Sequence, residues 1–191
     1  MAGLASLSKT KASRVLGLDC NTNSIAFCIY YNRRPVHYGK IKIEGSDIYE
    51  KIGDANKKIY ALYKTYDVDY VAIEGSVFVK SPQVAINLAY VFGSIIGVLV
   101  ALGCKTIATP PMTWQNHIGN KVLTKTEKEQ IKTDFPGKSA SWYSNKGRDM
   151  RKQRTMDFFN TKFNCKVTDN DVGDAMGIAH HAYYKLTTRS N

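Results

Sequence analysis

The chain has 191 residues, 43% of them hydrophobic, which suits one globular domain with a sizeable core. Its 27 Lys and Arg residues against 16 Asp and Glu residues give a formal net charge of +11. Such an excess is typical of proteins that bind polyanions, above all nucleic acid, and from charge alone a basic surface kept for solubility is an equal alternative. The four cysteines include no Cys-x-x-Cys pair, so they favour free thiols over a zinc site or a secreted disulfide scaffold.

The N-terminal half predicts a short meander followed by a helix. Residues 1–13 are small, Ser-rich and basic, and we interpret them as a flexible basic tail before a single domain over residues 14–188. Three apolar runs separated by turn residues predict antiparallel strands at 14–19, 24–31 and 36–43. Apolar residues at helical spacing then predict a helix over 47–66.

The C-terminal half alternates strands and helices. A short apolar run at 69–74 predicts a strand, 83–102 a helix that is apolar nearly all round, and 105–108 a further strand. Residues 121–162 are strongly basic, with a loop predicted over 135–147 and a helix over 148–159, before a last helix over 171–186. This order predicts an α/β domain with a mixed five-stranded sheet, an antiparallel meander followed by parallel strands, flanked by helices.

Four acidic residues fall at positions where these elements would bring them together. Asp19 ends the first predicted strand and Glu74 ends the fourth, while Asp171 and Asp174 lie three apart at the start of the last helix, on one face. Each has a structural alternative. Asp19 could simply end its strand and Asp171 could stabilise a helix N-terminus, whereas Glu74 is the hardest to explain without a partner.

Carboxylates at close range repel one another and resist joint ionisation unless cations lie between them. Oxygen ligands of this kind favour Mg²⁺ or Mn²⁺. Two such ions, about 3.5–4 Å apart, can activate a water and stabilise the leaving oxygen of a phosphodiester. A basic surface beside the site would hold the nucleic-acid backbone.

The sequence around these acids resembles the RuvC-type Holliday junction resolvases of the ribonuclease-H-like superfamily. The resemblance runs over residues 14–186 and rests on three motifs in the right order and spacing. These motifs are Gly17-Leu18-Asp19, Ala72-Ile73-Glu74 and Asp171-Val172-Gly173-Asp174-Ala175. A further segment, Thr113-Trp114-Gln115-Asn116-His117, is similar to resolvases of the plastid branch, and a phage relative is the other interpretation. Trp114 itself is expected to lie in the core rather than at a contact surface.

The resemblance implies a ribonuclease-H-like fold in which Asp19, Glu74, Asp171 and Asp174 are the catalytic, metal-binding acids. It also implies two Mg²⁺ ions per active site, replaceable by Mn²⁺, and a homodimer that makes paired cuts in four-way junctions and other branched DNA. The expected location is the cytoplasm of a bacterium or of a phage-infected cell, or an organelle, and no membrane association is expected.

Candidate DNA contacts lie in two segments. After Glu74, an aromatic that stacks on a junction base is a feature of the family, but Phe78 is offset from the expected position by one residue, so a core role is an equal alternative. Lys80 fits a contact to the DNA backbone, since lysine is rarely buried. The other candidates are basic residues of the 121–162 segment: Lys121, Lys146, Arg148, Arg151 and Lys152.

Two other functions remain open from the residues. Another ribonuclease-H-like nuclease would act on RNA in hybrids or on DNA that is not a junction, because a fold predicts chemistry better than substrate. A non-catalytic scaffold is expected to lack at least one of the four acids, and all four are present. The apolar helix over 83–102 has a surplus face that predicts either a second copy or a cover by the 148–159 helix.

Overall fold

The computed structural model describes residues 13–75 and 81–187. Within these ranges the chain forms five strands and six helices. In chain order they are β1 (Val15–Cys20), β2 (Ser24–Tyr31), β3 (Arg34–Lys42), α1 (Ile48–Tyr66), β4 (Tyr70–Glu74), α2 (Pro82–Ala101), β5 (Lys105–Thr109), α3 (Pro111–His117), α4 (Lys125–Asp134), α5 (Ala140–Phe163) and α6 (Asn170–Thr187).

The strands form one mixed sheet in the order β3-β2-β1-β4-β5, with β1 at its centre. The first three strands pair antiparallel, and β4 and β5 extend the sheet in parallel with β1. This is the five-stranded α/β arrangement predicted from the sequence. Because β1 and β4 are adjacent and parallel, their carboxyl ends lie at the same edge of the sheet.

Helices cover both faces of the sheet and create two separate cores. In β1, Leu16 and Leu18 pack with α1 and α2, while Val15 packs with α5 and α6 on the other face. Successive side chains of a strand point to opposite faces, so Asp19 lies on the same face as Val15. The same alternation in β4 puts Glu74 on the face of Ala72, which also packs towards α6. The sheet therefore directs both acids to one side.

Two local expectations were wrong, and one short helix was not predicted. The turn predicted at Arg33-Arg34-Pro35 lies instead at Asn32–Arg33, where both φ angles are positive, and Pro35 is part of β3, which tolerates proline because it is an edge strand. The segment predicted as a loop over 135–147 is helical from Ala140 onward, because Ser139 caps α5 by accepting a hydrogen bond from the Trp142 amide. The short helix α3 follows Pro110 directly, where the sequence indicated only the end of a strand.

Candidate active site

Asp19 and Glu74 lie on neighbouring strands at the carboxyl edge of the sheet. Leu18 of β1 is paired in register with Ile73 of β4, so the residues that follow them lie side by side. Glu74 is the last residue of β4 and pairs with Thr109 of β5. The convergence of the two strand-end acids was predicted from their positions in the sequence, and the parallel pairing produces it.

The second pair of acids reaches the same place because α6 lies directly on β1. A Cβ atom at Gly17 would be 2.4 Å from the backbone oxygen of Ala175 and 2.6 Å from Cβ of Ala179. Only a residue without a side chain allows this approach, and it brings the first turns of α6, with Asp171 and Asp174, over the end of β1. The Gly-x-Asp sequence of β1 thus serves both helix packing and the placement of Asp19.

The electrostatics show that the acids share one environment. Burial raises the pKa of Asp19 from 3.8 to about 8, with further contributions from Glu74, Asp174 and Asp171. Burial likewise raises the pKa of Asp174 to about 7, and Glu74 is again the largest charged contributor. The pKa of Glu74 is also raised, mainly by burial. A set of carboxyl groups that hold one another partly protonated is a characteristic of functional sites.

Two lysines neutralise part of this charge. Lys40 of β3 donates to Asp171 Oδ2 at 2.6 Å and to Asp169 at 3.1 Å. The hydrogen bond to Asp171 is the main reason that the pKa of Lys40 is raised. Lys152 of α5 lies 3.8 Å from Asp171 Oδ1. Both oxygens of Asp171 therefore face ammonium groups. Lys152 was predicted as a basic contact, whereas Lys40 was missed because it comes from an edge strand that has no motif of its own.

Asp169 has a role that the sequence did not reveal. Its side chain accepts hydrogen bonds from the amides of Asp171 at 2.9 Å and Val172 at 3.3 Å, and so it caps the start of α6. Since it also pairs with Lys40, it fixes that lysine beside Asp171. The helix that carries two of the four acids is thus anchored at its first turn.

Trp114 supports the side chain of Glu74 through a hydrogen bond. Its ring is fully buried, as expected of a core residue, and its indole Nε1–H donates to Glu74 Oε1 at 3.0 Å. The ring occupies the space that a side chain at Gly177 of α6 would fill, since a Cβ there would be 2.4 Å from Trp114 Cε3. Trp114 therefore ties the acid of β4 to the helix that carries Asp174.

The chain has a recognisable relative among curated proteins, although no family model matches it. It is 27% identical over 118 residues to the crossover junction endodeoxyribonuclease RuvC of Sulfurovum sp. (strain NBC37-1). The matched region covers 59% of this chain and 74% of the relative.

Solved structures agree on the fold. Thermus thermophilus RuvC in complex with a Holliday junction substrate superposes with a TM-score of 0.62 at 14% identity, covering 92% of this chain and 96% of that one. The yeast mitochondrial Holliday junction resolvase Ydc2 superposes with a TM-score of 0.56 at 11% identity, covering 93% and 82% of the two chains. The chain shares the ribonuclease-H-like fold of these Holliday junction resolvases.

The donor set of this site fits hard divalent cations, because it consists of half-buried carboxyl groups that lie close together. Among the residues that the structure describes, however, no group of three or more His, Cys, Asp or Glu side chains is arranged to hold one metal ion. Both oxygens of Asp171 face lysines, so a cation held by Asp171 would have to displace at least one of them.

The predicted DNA contacts differ in how they relate to the four acids. Lys152 lies at the site, and Arg151 is near enough to lower the pKa of Asp174. Arg148 is exposed one helical turn before Lys152. The Nζ atom of Lys146 instead lies 5.2 Å from the centroid of the Phe135 ring. Lys121 is an exposed residue of the segment that follows α3. Phe78 and Lys80 lie outside the described residues.

Proposed function

We propose that this protein is a structure-selective endonuclease that resolves four-way DNA junctions by metal-dependent hydrolysis of phosphodiesters. The observation that carries the proposal is the convergence of Asp19, Glu74 and Asp174: burial raises the pKa of each, and at least one neighbouring carboxylate of the site raises it further. The named activities of the Sulfurovum, Thermus and yeast relatives support the choice of substrate.

Asp19, Glu74, Asp171 and Asp174 would hold two Mg²⁺ ions, with Mn²⁺ as a substitute. When bound, such ions activate a water and stabilise the leaving oxygen of the phosphodiester. Trp114 keeps the Glu74 carboxylate oriented through its indole hydrogen bond. Lys40 and Lys152 pair with Asp171 in this structure, and with cations bound at the acids these lysines would be available to the phosphates of the substrate.

The basic face of α5 is the proposed DNA surface next to the acids. Arg148, Arg151 and Lys152 lie within about one turn of this helix, and Lys152 reaches the acids themselves. A strand held by these residues passes directly over the carboxylates. Lys121 and Lys146 lie further from the acids and would contact more distant parts of a branched substrate.

A homodimer completes the proposal, because paired cuts in a junction need two sites. One face of α2 packs in the core through Val91, Ile95 and Leu99, while Tyr90 and Val100 on the same helix are 51% and 63% exposed. The alternative, in which α5 covers α2, is not supported. Helix α5 packs mainly on α6 and α4, whereas α2 packs mainly on α1. By length and composition α2 is also apolar enough to cross a membrane, but its packed face favours a second copy as the partner.

Cutting of a labelled junction in Mg²⁺ by single acid variants tests the proposal. Asp19→Asn, Glu74→Gln, Asp171→Asn and Asp174→Asn are each expected to abolish cutting and to retain or strengthen junction binding, because fewer acids repel the phosphates. The matched control is Asp149→Asn, an exposed acid on α5, which should cut like the wild type. If any one of the four variants cuts at nearly the wild-type rate, that residue is not a core ligand.

A further inference from the structure

A cavity of about 480 Å³ lies between α4 and α5, next to the acidic site but separate from it. It is open on one side, and both helices and the segment before α4 contribute to its walls. The residues that line it are Val122, Leu123, Lys128, Ile131, Lys132, Tyr143, Ser144, Gly147, Arg148 and Arg151. A volume of this size is in the range of small-ligand sites.

The rim of the cavity is cationic. Lys128 and Lys132 project from α4 at i, i+4 spacing, and Arg148 and Arg151 face them from α5. Within residues 13–75 and 81–187, no carboxylate lines the cavity and none of the four cations forms an ion pair. Like charges held together repel one another, and an anionic ligand relieves that repulsion.

The floor of the same cavity is apolar. Leu123 and Ile131 are buried there, and Val122 is 48% exposed at the opening. Gly147 of α5 lets the helix approach this floor closely, because a Cβ at that position would be 2.9 Å from Leu123 Cδ1. A site for a phosphate alone needs no such surface, whereas the flat face of a nucleobase packs well on aliphatic side chains and on a tyrosine such as Tyr143.

Arg151 connects the cavity to the acids. It lines the cavity, and the next residue along α5, Lys152, lies 3.8 Å from Asp171. The Nε atom of Arg151 is buried and has no hydrogen-bond partner among the described residues, although another nitrogen of its guanidinium donates to Gln115. Arg151 is also close enough to lower the pKa of Asp174, so one side chain borders both the cavity and the acids.

We propose that this cavity binds an unpaired nucleotide of the strand that is cut, with the base on the Val122–Leu123–Ile131 floor and its phosphates on the cationic rim. This proposal rests on the proposed function, because it takes DNA to be the ligand. Paired bases in a duplex are stacked and cannot enter a pocket unless they are extruded. The cavity would thus favour substrates with unpaired or easily opened bases over continuous duplex.

Binding measured without cutting tests this proposal. Every protein carries Asp19→Asn and is kept in EDTA, so a failure of metal-dependent cutting affects only the proposed function. Fluorescence anisotropy compares a labelled single strand with the duplex of the same sequence over a range of salt concentrations. Two variants alter the cavity: Val122→Glu on the floor, and Lys128→Ala combined with Lys132→Ala on the rim. Their controls are Tyr60→Glu, a 48% exposed residue of α1, and Lys125→Ala, an exposed residue of α4.

We expect Val122→Glu to weaken single-strand binding by about tenfold or more, the effect of removing the packing surface for one base. The double lysine variant should reduce the single-strand log–log salt slope by about 0.7 for each phosphate that the protein no longer neutralises. Duplex binding by both variants, and all binding by the controls, should stay within about twofold of the parent. Unchanged single-strand affinity in Val122→Glu, or equal weakening for single strand and duplex in either cavity variant, would overturn the proposal.

Discussion

The carboxyl group of Asp19 lowers the stability of the metal-free fold. Its carboxyl group is buried between Glu74 and Asp174, and its pKa rises from 3.8 to about 8. The folded metal-free protein therefore binds a proton that the unfolded chain releases over this pH range. Because protonation and folding are linked, this group makes the fold less stable as pH rises from about 4 to about 8. The loss of stability is complete above the pKa that Asp19 has in the folded protein.

The free energy of unfolding of the metal-free protein should therefore depend on pH through Asp19. At pH 7 the Asp19→Asn variant is expected to be more stable than the wild type by an amount on the order of a few kcal/mol, and the difference should shrink towards pH 4. Thermal or urea unfolding in EDTA across this pH range measures it, with Asp149→Asn as an exposed control. A difference that stays constant with pH, or that grows towards acid, would show that Asp19 is ionised without penalty.

The four acids could be predicted from sequence because each occupies a position that a local pattern defines. Asp19 and Glu74 end apolar strands, and the last pair opens an apolar helix. Lys40 and the Trp114–Glu74 hydrogen bond could not be predicted in this way, since each joins residues that are distant in the chain. Local pattern gives the position of a residue in its element, whereas such partners depend on how elements pack.

At the scale of elements, the contact between β1 and α6 determines the geometry of the site. Gly17 allows the helix to lie on the strand, and Gly177 leaves space for the Trp114 ring that supports Glu74. Neither glycine has a positive φ. Their absence of a side chain, rather than backbone freedom, is what the packing requires.

Gly17→Ala is expected to destabilise the protein by about 1–3 kcal/mol or more, because its Cβ would overlap the α6 backbone. The displaced helix should also move Asp171 and Asp174, so cutting should fall even where the variant is folded. Gly53→Ala on α1 is the matched control, because a Cβ there has no atom within 4 Å, and it is expected to gain about 0.5–1 kcal/mol. Urea unfolding measures both, and equal stability of the two variants would contradict the account of the contact.

The elements themselves were predictable to different degrees. Apolar periodicity predicts the strands and the helices α1, α2 and α6, because each of these elements packs apolar side chains in the core. The start of α5 does not follow from such periodicity, because residues 140–147 combine two serines and an asparagine with a glycine, Gly147, that packs closely against Leu123. Helix propensity and composition describe such a segment poorly when a cap and a tertiary contact decide its structure.

At the scale of the whole molecule, the exposed side chains of α2 point to assembly. Val84, Ile86, Tyr90 and Val100 are between 45% and 63% exposed on an otherwise apolar helix. A surface of this kind on a protein in water favours a partner of similar chemistry. In a dimer with two-fold symmetry the same face of α2 serves both copies, and the two acidic sites are related by the symmetry that a four-way junction approaches.

Light scattering at micromolar concentration should therefore give twice the 21.4 kDa mass of one chain. Tyr90→Glu combined with Val100→Glu should shift the protein to the monomer, because two buried charges per copy would oppose association. Tyr49→Glu, a 75% exposed residue of α1, should leave the dimer intact. A wild-type protein that stays at the mass of one chain, both free and on a junction, would contradict the dimer.

We propose above all that this fold and its four acids act on branched DNA. The most direct measurement incubates the wild-type protein with Mg²⁺ and with end-labelled four-way junction, flap, duplex and RNA–DNA hybrid substrates, and maps every cut to its nucleotide. We expect paired, symmetric cuts in opposing strands of the junction, and little cutting of duplex or hybrid. Preferential cutting of the RNA strand in the hybrid, or junction cuts that need no divalent metal, would contradict it.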